Sequence, residues 1–194
     1  MKKTGLLFGS FNPIHMGHLM IAHYIRAFHA LEEIWFVVTP QNPTKPLLSL
    51  IPGGHRLAMA QLAVAPHPPF RVCDIEFYLP QPAYTIDTLD ALRTRYRRRS
   101  FVLLIGSDNW LQLPQWKDAS RLCARYPIIV YPRFGFALPR RPAPHPHIVF
   151  AAAPRLEISS TFIRQALAAG RDVSYFLPPP VADYIEKHNL YTAF

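Results

Sequence analysis

The sequence is poor in cysteine and contains no long apolar run. Its two cysteines, Cys73 and Cys123, lie far apart, which favours neither a disulfide framework nor a structural zinc site. We expect both to be buried small hydrophobic residues in a reducing compartment. No apolar run approaches the roughly 18 residues that span a membrane, and the N-terminal apolar segment is too short for a signal peptide. A soluble, cytoplasmic protein is therefore expected.

Acidic residues are also scarce. The 194-residue chain has 12 Asp and Glu against 21 Lys and Arg, which gives a formal net charge of +9. Such a surplus suits nucleic acid, an anionic membrane or a phosphate-rich small ligand, and charge alone does not choose among them. We interpret the most basic stretch, 93–99, as the solvated end of a helix, where cations suit the dipole. Nucleic-acid contact is the alternative, although the aromatic-basic interleaving that it needs is absent.

Apolar runs alternate with helix-like segments along the chain, and half of the residues are hydrophobic. Strands are predicted at 6–8, 34–39, 71–73, 101–105, 128–131 and 148–151, and helices at 15–29, 53–65, 84–96, 117–124, 160–169 and 181–188. This alternation predicts an α/β fold, a Rossmann-like doubly wound parallel sheet with helices on both faces. We expect a single domain over 1–194 with a C-terminal helical part at about 159–194, and a long surface excursion at 132–146.

Ligands of such sheets bind beyond the carboxyl ends of the strands. The first polar corner there runs from Gly9 to His18, through a Gly-Ser turn into a helix start. Free backbone N–H groups at a helix start attract anions, and His15 and His18 lie on one side of the first turn. Three interpretations are open: a packed turn with buried histidines, a metal pair without further marked ligands, or a phosphate site. The usual dinucleotide and P-loop fingerprints are absent.

A second anion-binding pattern lies near the C-terminus, in Ile158-Ser159-Ser160-Thr161-Phe162-Ile163-Arg164. Ser159 or Ser160 can cap a helix whose first N–H groups bind phosphate. Arg164, about one turn later, adds a permanent charge with a bidentate fork. An ordinary capped helix with a surface arginine is the alternative for this segment on its own.

The two segments together resemble the nucleotidyltransferase superfamily, whose signatures are (H/T)xGH and ISSTxxR. Further segments at 42–46, 82–89, 106–109 and 113–116 resemble the bacterial nicotinate mononucleotide adenylyltransferases, and the likeness extends over nearly the whole chain. The resemblance implies transfer of an adenylyl group from ATP to nicotinate mononucleotide, which gives nicotinate adenine dinucleotide and pyrophosphate in NAD biosynthesis. Asn12 departs from the frequent aspartate, and Ala83 from the frequent serine.

The resemblance also implies roles for individual residues. His15, His18 and Arg164 would be catalytic, while Asn12, Tyr84, Thr85 and Trp116 would bind the nicotinate nucleotide. The ATP and its phosphates would contact a larger set: Gly9, Ser10, Phe11, Lys45, Gly106, Asp108, Ile158, Ser159 and Ser160. Mg²⁺ would accompany ATP, held mostly by phosphate oxygens and water rather than by a protein metal site.

Alternatives to this assignment are open. Tyr84 and Trp116 are otherwise read as packing aromatics, Asp108 as a cap and Lys45 as a solvated lysine. Nicotinamide mononucleotide or another phosphorylated compound is the alternative acceptor. The expected partners are ATP and nicotinate mononucleotide, without nucleic acid or membrane, and a homo-oligomer is left open.

Overall fold

The computed structural model describes residues 1–41, 50–137 and 146–192. Six parallel strands form one sheet in the order β3-β2-β1-β4-β5-β6. The strands are β1 (Lys2–Gly9), β2 (Glu33–Val38), β3 (Phe70–Cys73), β4 (Arg99–Gly106), β5 (Ile128–Tyr131) and β6 (Ile148–Phe150). The predicted doubly wound parallel sheet is confirmed.

Helices connect the strands. They are α1 (Met16–Phe28), α2 (Gly53–Val64), α3 (Thr85–Arg95), α4 (Ser107–Gln112), α5 (Ala119–Arg125), α6 (Ser160–Ala168) and α7 (Pro179–Lys187). Most ends lie within two residues of the predicted ones. The prediction missed α4, because a six-residue helix is too short to show a hydrophobic period. It also began α7 at 181, whereas the helix starts at Pro179, where a proline is well tolerated.

The sheet is covered on both faces, as the continuous apolar run of β2 requires. Trp35 and Val37 of β2 pack with α3 and α5, whereas Ile34, Phe36 and Val38 pack with α1, α2, α6 and α7. The C-terminal helices therefore share the core of one sheet face. No helix in the described part of the chain is long and apolar enough to cross a membrane.

The basic stretch differs in part from its interpretation. Arg93 and Arg95 do lie exposed in the last turn of α3. Arg99 instead belongs to β4, where its guanidinium binds the carboxylate of Glu33 at 2.6 Å and lies 4.9 Å from the ring of Trp35. One of the arginines at 93–99 is thus part of the structural core rather than of a solvated helix end.

The strand order reverses at β1, which lies between β2 and β4. Ligand crevices form at such switch points, beyond the carboxyl ends of the strands. Leu7 pairs with Leu104 in the sheet, so the segments that follow Gly9 and Gly106 emerge side by side. The sheet itself therefore brings two of the predicted motifs together.

Candidate active site

The loop after β1 is shaped by its own aromatic residue. Phe11 has a positive φ of 46° and a buried ring, which contacts His18 edge-on at 5.1 Å and Phe36 at 5.7 Å. A Cβ on Gly9 would lie 2.9 Å from the Phe11 ring, so glycine is required here by this packing. The side chain of Phe11 thus packs in the hydrophobic core, and only the backbone of Phe11 is available to a ligand. Ser10 Oγ is enclosed and has no hydrogen-bond partner within the described residues.

The two histidines lie against one another at the start of α1. His15 is the residue before the helix and His18 is in its first turn, with ring centroids 3.7 Å apart. The backbone N–H of His15 donates to His18 Nδ1 at 3.2 Å. Because Nδ1 accepts, the proton of neutral His18 resides on Nε2, where it can be donated to a ligand.

His15 is buried and neutral. Burial, followed by the charge of Arg133, lowers the pKa of His15 to about 3. Its Nδ1 is enclosed without a hydrogen-bond partner in the part of the chain that the structure describes. A histidine retained only for packing is expected to be satisfied, so this unpartnered nitrogen favours a ligand. The described residues contain no group of three or more His, Cys, Asp or Glu side chains that could hold a metal ion.

The start of α6 is bonded directly to the loop after β1. Ser159 Oγ caps α6 by accepting from the N–H of Phe162 at 3.1 Å. Ser160 Oγ donates to the carbonyl of Pro13 at 2.9 Å, and the Arg164 guanidinium donates to the carbonyl of Asn12 at 2.9 Å. The serine-rich segment and the histidine segment therefore form one structure, although about 150 residues separate them in the chain.

A cleft of about 40 Å³, here called the α1 cleft, opens beside the histidines. Its walls include His15, His18, Tyr131, Arg133 and Ile158. The guanidinium of Arg133 thus borders it together with the two histidines, and Ile158 belongs to the segment that leads into α6. Arg133 was not predicted to line a site. It lies in the segment 132–146, whose residues 138–145 are outside the described residues.

The segment after β4 lies next to the α1 cleft. A Cβ on Gly106 would overlap Asp108 Oδ1 and lie 2.5 Å from Arg133 Cδ, so a larger residue here would displace these two side chains. Asp108 does not cap α4. Its Oδ2 lies 3.8 Å from Arg133, and its Oδ1 is enclosed without a partner among the described residues. An unpaired buried carboxylate oxygen is suited to accept a hydrogen bond from a ligand hydroxyl.

A second cavity of about 170 Å³, here called the α3 pocket, opens on the other side of the β1 loop. Tyr84, Thr85 and Trp116 all lie in its wall. Thr85 begins α3, so the free N–H groups of the first helical turn lie at this wall. Lys117 Nζ lies 4.9 Å from the centroid of the Tyr84 ring and 2.8 Å from the Asp87 carboxylate.

Asn12 does not line the α3 pocket. It is buried, and its side-chain oxygen accepts from the hydroxyl of Tyr191 at 2.8 Å. Burial raises the pKa of Tyr191, so its hydroxyl stays neutral. The structure thus places Asn12 behind the loop, where the C-terminal end of the chain supports it.

The sequence did not predict the buried residues that bind the backbone of the loops after β1 and β2. The buried guanidinium of Arg56 in α2 donates to four backbone carbonyls, those of Ser10, Thr39, Pro40 and Ile51, at 2.6–3.1 Å. Glu76 in the wall of the α3 pocket was missed as well. Neither residue belongs to a recognisable motif, and their burial shows only in the fold. Lys45 lies outside the described residues.

The fold and the site agree with those of a known class of proteins, the cytidylyltransferase-like proteins. The profile of the Cytidylyltransferase-like family matches residues 6–166. The fold resembles that of a solved nicotinic acid mononucleotide adenylyltransferase from Plasmodium falciparum, complexed with NaAD, with a TM-score of 0.83 at 24% identity and 98% of each chain covered. The fold class predicted from the sequence therefore agrees with a solved structure.

Two curated relatives, both called probable nicotinate-nucleotide adenylyltransferase, are more similar in sequence. The one from Bacteroides fragilis is 50% identical, over 92% of this chain and 89% of its own. The one from Cytophaga hutchinsonii is 41% identical, over 99% of this chain and all of its own. The chain belongs to the nicotinate-nucleotide adenylyltransferase family, as its motifs predict.

Proposed function

We propose that this chain transfers the adenylyl group of ATP to nicotinate mononucleotide, which produces nicotinate adenine dinucleotide and pyrophosphate. One observation carries the proposal. The segment from the end of β1 to the start of α1 borders both cavities, with Phe8 and Gly9 of β1 in the wall of the α3 pocket and His15 and His18 at the start of α1 in that of the α1 cleft. A mononucleotide in the α3 pocket and ATP in the α1 cleft would bring their phosphates together over this loop.

The reaction is an in-line substitution at phosphorus. A phosphate oxygen of the mononucleotide forms the new bond to the α-phosphorus of ATP while the bond to the bridging β-phosphate oxygen breaks. A phosphate monoester is largely dianionic at neutral pH, because its second pKa is about 6, so it needs no general base. The protein has to hold two polyanions together and stabilise the charge of the transition state.

The described residues suit these tasks. His18 donates from Nε2 to the α-phosphate, and His15 supports it from the same side. Arg164 and the start of α6, with Ser159 and Ser160, hold the β- and γ-phosphates, while Asp108 contacts the ribose. Thr85 and the first N–H groups of α3 bind the nicotinate carboxylate, and Trp116 packs on the ring. The phosphate contact of Lys45 stays a prediction.

Mg²⁺ is proposed to accompany ATP. It commonly keeps several waters and binds through substrate phosphates, a mode that needs no cluster of protein carboxylates. We place the reaction in the cytoplasm, in keeping with the two free cysteines.

An assay with ATP, Mg²⁺ and each of the two pyridine mononucleotides tests the proposal. We expect nicotinate adenine dinucleotide and pyrophosphate in equal amounts, with a higher kcat/KM for nicotinate mononucleotide near neutral pH. Turnover of neither mononucleotide would overturn the proposed function. A higher kcat/KM for nicotinamide mononucleotide near neutral pH would instead identify the alternative acceptor.

A further inference from the structure

Glu76 is a buried carboxylate in the wall of the α3 pocket that no motif explains. It lies in a short 3-10 turn, Ile75–Tyr78, just after β3, and only 1% of it is exposed. Thr88 Oγ1 donates to its Oε1 at 2.8 Å. Its Oε2 is enclosed and receives no hydrogen bond from any described residue. The side chain is therefore only half satisfied.

An unpaired carboxylate is costly to bury, and such groups tend to stay protonated. Burial raises the pKa of Glu76 to about 7, and the hydrogen bond from the Thr88 hydroxyl offsets only part of this effect. No ion pair among the described residues involves Glu76. The group therefore changes charge close to neutral pH.

The surrounding groups do not share this behaviour. The hydrogen bond to Asp87, helped by the charge of that residue, raises the pKa of Lys117, so the ammonium keeps its charge. On the strand side, burial raises the pKa of Cys73 to about 11. The other ionisable side chains on these elements include Asp74, Tyr78 and Tyr84 and, on α3, Asp87 and Asp90. Burial brings the charge change of Glu76 itself close to neutral pH.

We propose that Glu76 is a specificity-determining residue whose charge state selects between a ring carboxylate and a ring amide in the α3 pocket. The inference rests on the proposed function. As a neutral acid, Glu76 offers a proton on its unpartnered oxygen and tolerates the negative charge of nicotinate. As a carboxylate, it repels nicotinate and favours the amide N–H groups of nicotinamide. The repulsion acts through the low-dielectric wall and needs no direct contact.

This assignment separates two parts of ring recognition. The N–H groups at the start of α3 donate, and they favour a carboxylate at every pH. Glu76 opposes that preference only when it is ionised. The preference for nicotinate is therefore expected to be strongest below neutrality and to weaken as the pH rises.

The test measures kcat/KM for both mononucleotides at saturating MgATP, for the wild type and for Glu76→Gln. The ratio of the two values is informative, because the ionisation of the shared phosphate and of the histidines affects both substrates and cancels. For the wild type we expect the nicotinate-to-nicotinamide ratio to fall on the order of tenfold between about pH 6.5 and about pH 8.5. Glu76→Gln keeps the shape and an N–H donor without the charge, so its ratio is expected to be flat and higher than that of the wild type at alkaline pH.

Two further variants keep the test decisive. Glu186→Gln changes an exposed glutamate of α7 and is expected to leave the wild-type profile unchanged. Thr88→Val removes the hydroxyl that stabilises the Glu76 carboxylate, so the fall in the ratio is expected to move to higher pH even if Glu76→Gln does not fold. A wild-type ratio independent of pH, or a Glu76→Gln enzyme with the wild-type slope, would overturn this inference alone. Absence of turnover with both mononucleotides would overturn the proposed function and the inference together.

Discussion

Two buried glutamates lie at opposite ends of the same sheet and are treated differently. Glu33 is at the amino end of β2, and it binds Lys2, Arg99 and the indole N–H of Trp35. Burial alone would raise the pKa of Glu33, but these hydrogen bonds and the charge of Arg99 outweigh it and hold the pKa at about 2. Glu76, beyond the carboxyl end of β3, lacks such partners, and its pKa is about 7.

The same contrast extends to other polar atoms. Four buried side-chain atoms in the described part of the chain have no hydrogen-bond partner: Ser10 Oγ, His15 Nδ1, Glu76 Oε2 and Asp108 Oδ1. All four follow the carboxyl ends of β1, β3 or β4. Since buried polar groups are normally satisfied, such a concentration indicates atoms that await a ligand. The amino end of the sheet provides stability, and the carboxyl end retains binding capacity at some cost to stability.

The largest effect that this contrast predicts is on catalysis at the carboxyl end. His18→Ala removes the Nε2–H donor, and kcat is expected to fall about a hundredfold or more, as when a transition-state donor is lost. Circular dichroism is expected to show an intact fold, because alanine suits the first turn of α1. The control is His23→Ala, an exposed histidine of the same helix. Wild-type activity in the His18→Ala enzyme would contradict the assignment of this site.

The next effect is on stability at the amino end. Glu33→Gln leaves Lys2 and Arg99 without their carboxylate, and we expect the free energy of unfolding to fall by about 2 kcal/mol, since both cations keep some solvent contact. Urea denaturation measures this as a lower midpoint at an unchanged m-value. At temperatures where the variant is folded, kcat is expected to match that of the wild type. Glu32→Gln, its exposed neighbour, serves as the control. A Glu33→Gln enzyme as stable as the wild type would refute the structural role.

Glu76 is expected to show the opposite sign. Its folded-state pKa of about 7 exceeds the ordinary value of 4.5, so the unfolded chain releases the proton first and stability falls as the pH rises between these values. Glu76→Gln removes this loss, which amounts to about 3 kcal/mol at most for such a shift. Unfolding measured at about pH 5 and about pH 8 is expected to show the variant gaining stability relative to the wild type at the higher pH. If the free energies of unfolding of the variant and the wild type differ by the same amount at both pH values, the pKa of Glu76 in the folded protein is not raised.

The pH dependence of stability that Glu33 contributes is expected to be the reverse of that of Glu76. Its pKa of about 2 lies below the ordinary value of 4.5, so its stabilising contribution is complete above that value and is lost as the pH falls toward 2. The two glutamates therefore affect stability in separate pH windows and with opposite signs.

The smallest effect concerns the support behind the β1 loop. Tyr191→Phe removes the hydroxyl that binds Asn12, and we expect kcat to fall about three- to tenfold, the equivalent of one net hydrogen bond. KM for ATP is expected to change little, because Tyr191 lines neither the α1 cleft nor the α3 pocket. Tyr175→Phe is the matched control, since Tyr175 is 93% exposed. Asn12→Ala, alone and combined with Tyr191→Phe, shows whether Tyr191 acts by binding Asn12. If it does, the loss of kcat in the double variant is smaller than the two single losses added together.

Much of the architecture could be predicted from local patterns. The apolar period identified every strand and all helices but α4, and the order of strands and helices determined the sheet class. The structure brings together the residues that form the two motifs, His15, His18, Ser159, Ser160 and Arg164, and their roles stay predictions. Family membership followed from the same segments.

The rest could not be predicted because it depends on contacts between distant segments. Arg56 and Glu76 are charged residues in unremarkable segments, and they become informative only because the fold buries them. The sequence also does not show that the Cβ position of Gly9 faces the Phe11 ring. Nor does it show that the hydroxyl of Tyr191 donates to the side chain of Asn12.

By itself, the sequence determined the kind of sheet and the family, since periodicity and motif spacing are local properties of the chain. Only the tertiary structure decided which polar atoms are satisfied. Glu33 and Glu76 are the same residue type, and both follow or begin a buried strand. Burial and hydrogen-bond partners, which come from residues far away in the chain, set their pKa values on opposite sides of the ordinary one.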